Sequence, residues 1–160
     1  GDGRLWHAVA VGLAAGFVAA IAYDVFRIPF VFATPLGIDG VVPALPLFKV
    51  FPRFGAMILG QPLEQTAYAT TAQLVGWAYH FSNGATFGVM YVALAGDPAR
   101  RSPWWGVVFA VGIEIGLLLT PYAQTFGIKV TPTFIAVTLT AHLVFGAAMG
   151  WLARRWWRGA

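Results

Sequence analysis

The feature that most constrains this chain is a nine-residue pattern that occurs twice. Both copies have the form H-x-x-x-G-A-x-x-G, one beginning at His80 and the other at His142. Positions i, i+4 and i+8 of a helix share one face, so each copy places an imidazole beside a strip of glycine. The glycines of the two strips are Gly84, Gly88, Gly146 and Gly150. The pattern therefore predicts two matching helices and a duplicated helical hairpin.

The apolar composition predicts where those helices lie. The chain is 59% hydrophobic and 10% charged, whereas a soluble domain carries roughly 25% charged residues. A membrane span needs about 20 mostly apolar residues. Four segments meet that length, at about residues 5–23, 72–94, 104–121 and 133–152. We therefore expect an all-α integral membrane four-helix bundle, with residues 1–160 forming one transmembrane domain.

The first and third spans carry their own glycine strips. Gly12 and Gly16 in the first span correspond to Gly112 and Gly116 in the third, and both pairs have the form G-x-x-x-G. Small residues at this spacing let helix backbones approach closely inside a membrane. We expect all eight of these glycines to be helix-packing residues.

The segment of residues 28–71 is an insertion that lengthens the first hairpin. It is rich in proline and still strongly apolar, so an interfacial or re-entrant segment, part extended and part short helix, is expected. Two functional alternatives remain open. The insertion either caps a site or docks against a partner subunit.

Charge and tryptophan predict the orientation. Arginines concentrate at the chain ends and in the loop near residues 96–103, and six of the seven tryptophans lie on that same side. Positive charge in short loops marks the cytoplasmic side, and tryptophan prefers the lipid headgroup layer. Both termini are therefore expected in the cytoplasm, in contact with membrane lipids.

Three ionisable residues lie inside the predicted spans at comparable depth: His80, Glu114 and His142. Together they could form a transition-metal site, and the two histidines could instead ligate a b-type haem beside the glycine strips. A third alternative is a proton relay through Glu114. The simplest alternative is that each histidine only donates a hydrogen bond between helices. Asn83, one turn from His80, would be a secondary partner in each case.

Asp24 and Arg27 form a separate pair near the end of the first span. Three residues apart on a helix, they share one face and reduce the cost of charge at that depth. An ion-paired helix end is the expected role. The glycine alignment places Gln124 opposite Asp24 in the second half, which leaves a functional role for the pair open.

Several function classes are not supported by any motif. The chain has no phosphate-binding loop, no H-E-x-x-H and no cysteine, so an enzyme is not expected and thiolate metal sites are excluded. Its basic residues lie at membrane boundaries and form no stripe for nucleic acid.

Residues 12–27, 80–91 and 142–151 resemble small bacterial four-span membrane proteins of unknown function, which share repeated glycine-flanked histidine helices. The resemblance implies a location in the bacterial inner membrane and no particular activity.

Three functional hypotheses follow from the sequence. The first is a non-catalytic accessory subunit of a larger membrane complex, for example a respiratory or redox assembly, that buries its glycine strips against other subunits or copies of itself. The second is a haem- or metal-binding protein that uses His80 and His142. The third is a small transporter that works as an oligomer.

Overall fold

The computed structural model describes residues 2–157, and within that range the chain is helical and has no β-strand. The predicted all-α class is therefore confirmed. Two 3₁₀ turns, Leu47–Lys49 and Pro98–Arg100, accompany the α-helices. In chain order the α-helices are α1 (Asp2–Val31), α2 (Val50–Ile58), α3 (Thr70–Ala95), α4 (Trp104–Leu119), α5 (Tyr122–Thr125) and α6 (Pro132–Trp156).

Local sequence signals explain the ends of the helices. The Thr131 hydroxyl oxygen accepts a hydrogen bond from the Phe134 backbone N–H, and Pro132 occupies the first helical position of α6. At its C-terminus, α3 ends before Gly96, whose φ of 72° is a left-handed conformation that glycine adopts without strain. These signals set the start of α6 and the end of α3.

The long helices form two antiparallel hairpins, α1 with α3 and α4 with α6. In the first hairpin, a Cβ placed on Gly16 would overlap the backbone of Gly84. In the second, a Cβ placed on Gly106 would overlap the backbone of Gly146. Helices α1 and α6 then pack against each other in the middle of the molecule. Glycine is therefore required where the backbones cross.

The glycine strips are consequently used inside the chain. The expectation that they pack against other subunits is wrong for the strips of α1, α3 and α6, because the facing helix already fills them. The predicted strip of α4 is different, because no helix of the described chain fills it. Gly112 and Gly116 have no atom within 4 Å of an added Cβ, and Gly106 makes the contact instead.

The predicted spans differ from the helices in their bounds. Helix α1 continues well past residue 23 to Val31, so Asp24 and Arg27 lie inside a helix and not at its end. Helix α4 has only 16 residues, about 24 Å at 1.5 Å per residue. Within the described residues, two helices, α1 and α6, are long and apolar enough to cross a membrane, and α4 is apolar but shorter.

The insertion after α1 folds back onto the helices. A Cβ on Gly55 in α2 would overlap the backbone of Ala72, and a Cβ on Gly76 in α3 would overlap that of Phe51, so α2 lies directly on the first part of α3. The Phe51 ring contacts the His80 ring, with centroids 4.6 Å apart. The insertion thus caps a residue of the candidate site.

The two hairpins meet unequally. Helices α1 and α6 pack closely, with Tyr23 against Phe145 and fully buried alanines such as Ala15 and Ala141 along the helices. Helices α3 and α4 touch mainly through aromatic side chains, for example Phe87 and Phe109, whose ring centroids are 6.3 Å apart. The bundle is therefore closed on its α1–α6 side and looser on its α3–α4 side.

Candidate functional site

Each hairpin holds one carboxylate against one histidine. In the first hairpin, His80 Nε2 lies 2.9 Å from both Oδ1 and Oδ2 of Asp24. Arg27, one turn further along α1, donates from Nη2 to Asp24 Oδ1 at 2.6 Å. The glycine crossing sets this level, because His80 lies one turn before Gly84. We call Asp24, Arg27 and His80 the first cluster.

Aromatic rings surround the guanidinium of the first cluster. The Arg27 Cζ lies 4.1 Å from the Tyr23 ring centroid, 5.1 Å from that of Phe48 and 5.4 Å from that of Phe51. A guanidinium over an aromatic face gains electrostatic energy that partly offsets its lost hydration. These contacts let Arg27 stay charged although only 4% of its surface is exposed.

The second hairpin holds Glu114 against His142. The His142 Nδ1 lies 2.9 Å from Glu114 Oε2 and 2.8 Å from the Thr138 backbone oxygen. Because a carbonyl oxygen can only accept, Nδ1 carries a hydrogen in this arrangement. The Thr138 hydroxyl lies 2.6 Å from Glu114 Oε1 and donates to it. We call Glu114, Thr138 and His142 the second cluster.

The two clusters balance their charge differently. In the first cluster the permanent charge of Arg27 offsets the carboxylate of Asp24, so His80 is neutral when the cluster is neutral. In the second cluster no arginine or lysine of the described chain pairs with Glu114. A buried unpaired carboxylate costs several kcal/mol. The second cluster is neutral only when Glu114 and His142 together hold one proton beyond the Nδ1 hydrogen.

Tyr23 connects the clusters. Its ring centroid lies 6.0 Å from that of His80 and 5.1 Å from that of His142, and its face also carries Arg27. Both imidazoles therefore contact the same aromatic side chain.

Two cavities reach the second cluster. The first has a volume of about 380 Å³ and lies between the ends of α1 and α4, the Leu47–Lys49 turn with α2, and the α5–α6 connection. The second, about 140 Å³, lies in the loose α3–α4 side and is bordered by both histidines. His142, Tyr23, Leu117 and Tyr122 border both cavities. The second cluster therefore stands between two spaces.

The expected three-residue site of His80, Glu114 and His142 is not formed. The structure brings Glu114 and His142 together, but it pairs His80 with Asp24, and the described residues contain no group of three or more potential ligands of the His, Cys, Asp or Glu type. Each histidine instead pairs with the acid on the other helix of its own hairpin, His80 with Asp24 and His142 with Glu114.

The glycine strips do not provide the space that the haem hypothesis requires. Gly84 and Gly146 face the backbones of Gly16 and Gly106, so the strips leave no flat space for a macrocycle. Asn83 borders the second cavity and its side chain makes no hydrogen bond within residues 2–157, so it is not a partner of His80 here.

The alignment with Gln124 missed the counterpart of Asp24. The Gln124 side chain is exposed, whereas Glu114 occupies the position in α4 that Asp24 occupies in α1. The missed signal is a spacing: Gly16 and Ala20 precede Asp24 at four-residue steps, as Gly106 and Ala110 precede Glu114. Thr138 was also missed, since a threonine inside an apolar helix ordinarily bonds its own backbone.

No family model, curated protein or solved structure matches the chain.

Proposed function

We propose that this chain is a small membrane transporter whose second cluster binds and releases a proton. The observation that carries the proposal is the charge balance at Glu114. Its carboxylate is buried, its hydrogen-bond partners are His142 and Thr138, and no lysine or arginine of the described chain pairs with it. A group that needs one proton to be neutral, and that borders two cavities, is suited to carrying a proton.

The exchanging atom in this proposal is His142 Nε2. The Nδ1 hydrogen is held between Glu114 and the Thr138 carbonyl, and Nε2 has no hydrogen-bond partner within the described chain. A proton on Nε2 makes the imidazolium that balances Glu114. Loss of that proton leaves a buried negative charge, which drives its return unless a cation takes its place.

The proposal includes four membrane spans, made by α1, α3, α4 and α6, with both termini in the cytoplasm. The length and hydropathy of α1 and α6 and the apolar sequence of α4 support the spans. The start of α1 and the end of α6 lie together at the arginine-rich end of the bundle, where His7 contacts Trp157, which supports the orientation. Helix α3 is long enough to span but falls short of the hydropathy of α1 and α6, and it carries Gln73, His80 and Asn83. Gln73 lies beside residues of the insertion, His80 pairs with Asp24, and Asn83 borders the second cavity.

Access in this conformation is from the end that carries α2. The first cavity borders exposed Lys49 and Lys129 at that end. Towards the arginine-rich end the core is closed by Ala15, Ala110 and Met149, each with no exposed surface. Transport would require the glycine crossings to shift and open this closed end, as alternating access demands.

A proton-flux assay tests the proposal. The protein is reconstituted in liposomes loaded with potassium chloride and diluted into sodium chloride with valinomycin, which imposes an inside-negative potassium diffusion potential, and the internal pH is followed with a trapped dye. We expect acidification that exceeds that of empty liposomes. Glu114→Gln should reduce it at least tenfold, because the neutral amide no longer requires the proton.

The matched control is Asp39→Asn, the same carboxylate-to-amide change at an exposed residue of the insertion. It should leave the flux unchanged. Equal acidification by the original chain and Glu114→Gln, or by protein-containing and empty liposomes, contradicts the proposal.

A second candidate function is the accessory subunit of a larger membrane complex. One observation favours it: Gly112 and Gly116 form a G-x-x-x-G strip on α4 that no part of the described chain covers. Leucine at both positions should then reduce recovery of the complex from native membranes, while the proton flux of the isolated chain stays unchanged. Unchanged recovery of the complex would count against this role.

A further inference from the structure

We propose that the first cavity binds a small oxyanion of the phosphate or carboxylate type, held by Arg27, Arg53, Lys49 and Lys129. This inference names the solute class of the proposed proton-coupled transport and to that extent rests on it. The binding itself is a separate property that can be measured without any flux.

The charge of the cavity wall supports an anion. Four cationic side chains and one carboxylate, that of Glu114, border this space of about 380 Å³. Lys49 and Lys129 are exposed at its edge and form no ion pair within residues 2–157. A concave wall with an excess of one sign concentrates counter-ions of the opposite sign.

Both arginines border the cavity, and each has a side-chain nitrogen without a hydrogen-bond partner in the described chain. Of the three Arg27 nitrogens only Nη2 has a partner, and Nε is buried without one. Arg53 donates from Nη1 to the Phe126 backbone oxygen at 2.5 Å, but its Nε is also buried and unpaired. Buried donors without acceptors cost about 1–3 kcal/mol each. An oxyanion supplies acceptors in the fork geometry that guanidinium groups bind best.

The carboxylate partner of Arg53 does not cancel its charge. Arg53 Nη2 lies 3.1 Å from Glu64 Oε1, but 72% of the Glu64 side chain is exposed. Exposed ion pairs are worth about 0–1 kcal/mol because water screens them. An anion in the less hydrated cavity therefore competes well with Glu64 for the guanidinium.

Hydroxyl groups complete the wall. Tyr122 borders the cavity, and burial, followed by the nearby Tyr23, raises the pKa of its hydroxyl above the usual range. Tyr122 consequently remains a neutral donor near neutral pH. Thr131 also borders the cavity, and its oxygen already accepts from Phe134, so its O–H is oriented to donate elsewhere. These donors favour an acceptor-only ligand.

Anion binding and proton binding share the second cluster. The groups around His142 are Glu114 from α4, Tyr23 and Arg27 from α1, Tyr122 from α5, and His80 with Tyr79 from α3 across the second cavity. Lys49, Arg53 and Lys129 border the first cavity. A bound anion offsets their positive charge, which lets Glu114 and His142 hold a second proton at once. The anion should therefore bind together with a proton.

Titration calorimetry with inorganic sulfate tests the site at constant ionic strength, in nanodiscs of phosphatidylcholine. Sulfate is chosen because it does not titrate near neutral pH. We expect saturable binding, and the double variant Lys49→Gln/Lys129→Gln should weaken it about tenfold, because two attractions to the anion are lost even though water partly screens each of them. The matched control Arg154→Gln/Arg155→Gln removes two exposed cations of α6 outside the cavity and should bind as the original chain does.

A second arm distinguishes the source of the anion. If sulfate binding persists when phosphatidylglycerol replaces phosphatidylcholine, the ligand is a free anion. If phosphatidylglycerol abolishes it in the original chain, an anionic lipid headgroup occupies the site. Both results support an oxyanion site. No saturable binding in either lipid, or equal binding by the lysine double variant and the original chain, overturns it.

Repeating the titration in buffers of different ionisation enthalpy separates this inference from the proposed function. Proton uptake on sulfate binding that disappears in Glu114→Gln supports both proposals. Sulfate binding without proton uptake leaves the anion site standing and contradicts its coupling to the second cluster.

Discussion

The first and second clusters have the same plan and different electrostatics. Each sets an acid on the first helix of a hairpin against a histidine on the second, with the two groups 2.9 Å apart. The acid of the first cluster also bonds Arg27, whereas that of the second bonds the Thr138 hydroxyl. A permanent cation makes the first cluster electrically complete. A hydroxyl leaves the second cluster dependent on a proton.

The comparison shows how one scaffold can give a structural ion pair and a proton site. The glycine crossings bring acid and histidine together in both hairpins, and the third partner decides which property results. The two histidines also differ in their surroundings. Helix α2 places the Phe51 ring against His80, whereas His142 borders both cavities.

The largest expected effect is on stability. Asp24→Asn leaves Arg27 buried without its carboxylate and should lower the free energy of unfolding by about 3–5 kcal/mol. Glu114→Gln should cost only about 1–2 kcal/mol, because His142 can become neutral and still donate to the amide oxygen. Reversible denaturation in detergent, followed by tryptophan fluorescence, measures both. Equal losses would remove the electrostatic distinction between the clusters.

The double variant Asp24→Asn/Arg27→Gln sharpens this result. It removes both charges of the first cluster and should recover part of the stability lost in Asp24→Asn alone. A double variant less stable than the single one would show that the contacts of Arg27 with the aromatic rings stabilise the helices by more than its unpaired charge costs.

The glycine crossings should show what the two hairpins share. Gly16→Ala and Gly106→Ala place a methyl group against the facing backbone, and each should cost about 1–3 kcal/mol in the free energy of unfolding. Gly112→Ala is the matched control, since its added methyl meets nothing within 4 Å and should gain up to about 1 kcal/mol from helix propensity. A cost at Gly112 equal to that at Gly106 would contradict the observed register of α4.

The smallest effect concerns the hydroxyl of the second cluster. Thr138→Val removes the hydrogen bond to Glu114 and should cost about 1 kcal/mol in the free energy of unfolding. Thr140→Val is the control, because Thr140 is exposed and donates only to the Ala136 backbone oxygen. Calorimetric melting of both variants measures the difference. Equal losses would mean that Thr138 contributes only a backbone contact.

The sequence predicts the glycine faces of α1, α3 and α6 correctly because a four-residue period is a local property of helices. The prediction fails for α4. Its G-x-x-x-G pair, Gly112 and Gly116, does not face α6, and the buried glycine is Gly106, eight residues before Glu114. Anchoring the alignment on Asp24 and Glu114 gives Gly106 directly. Residue types alone did not show which of several glycine pairs is buried.

Other features depend on contacts between distant segments. The placement of Phe51 on His80 follows from α2 folding onto α3. The helical spacing of Val50, Phe51 and Phe54 marks a buried face of α2, but it does not identify α3 as the helix that this face contacts. Likewise, the pairing of each histidine with its own hairpin acid depends on helix crossing geometry. Counting depth along each span places His80, Glu114 and His142 at one level and cannot choose between partners.

The most direct test of the central claim is the protonation state of the two histidines. Nitrogen-15 NMR of histidine-labelled protein in lipid, assigned with His80→Asn and His142→Asn, distinguishes imidazolium from neutral imidazole. Both oxygens of Glu114 accept hydrogen bonds, so we expect the proton on His142. The expected result is a charged His142 and a neutral His80 near neutral pH. A charged His80 beside a neutral His142 would contradict it.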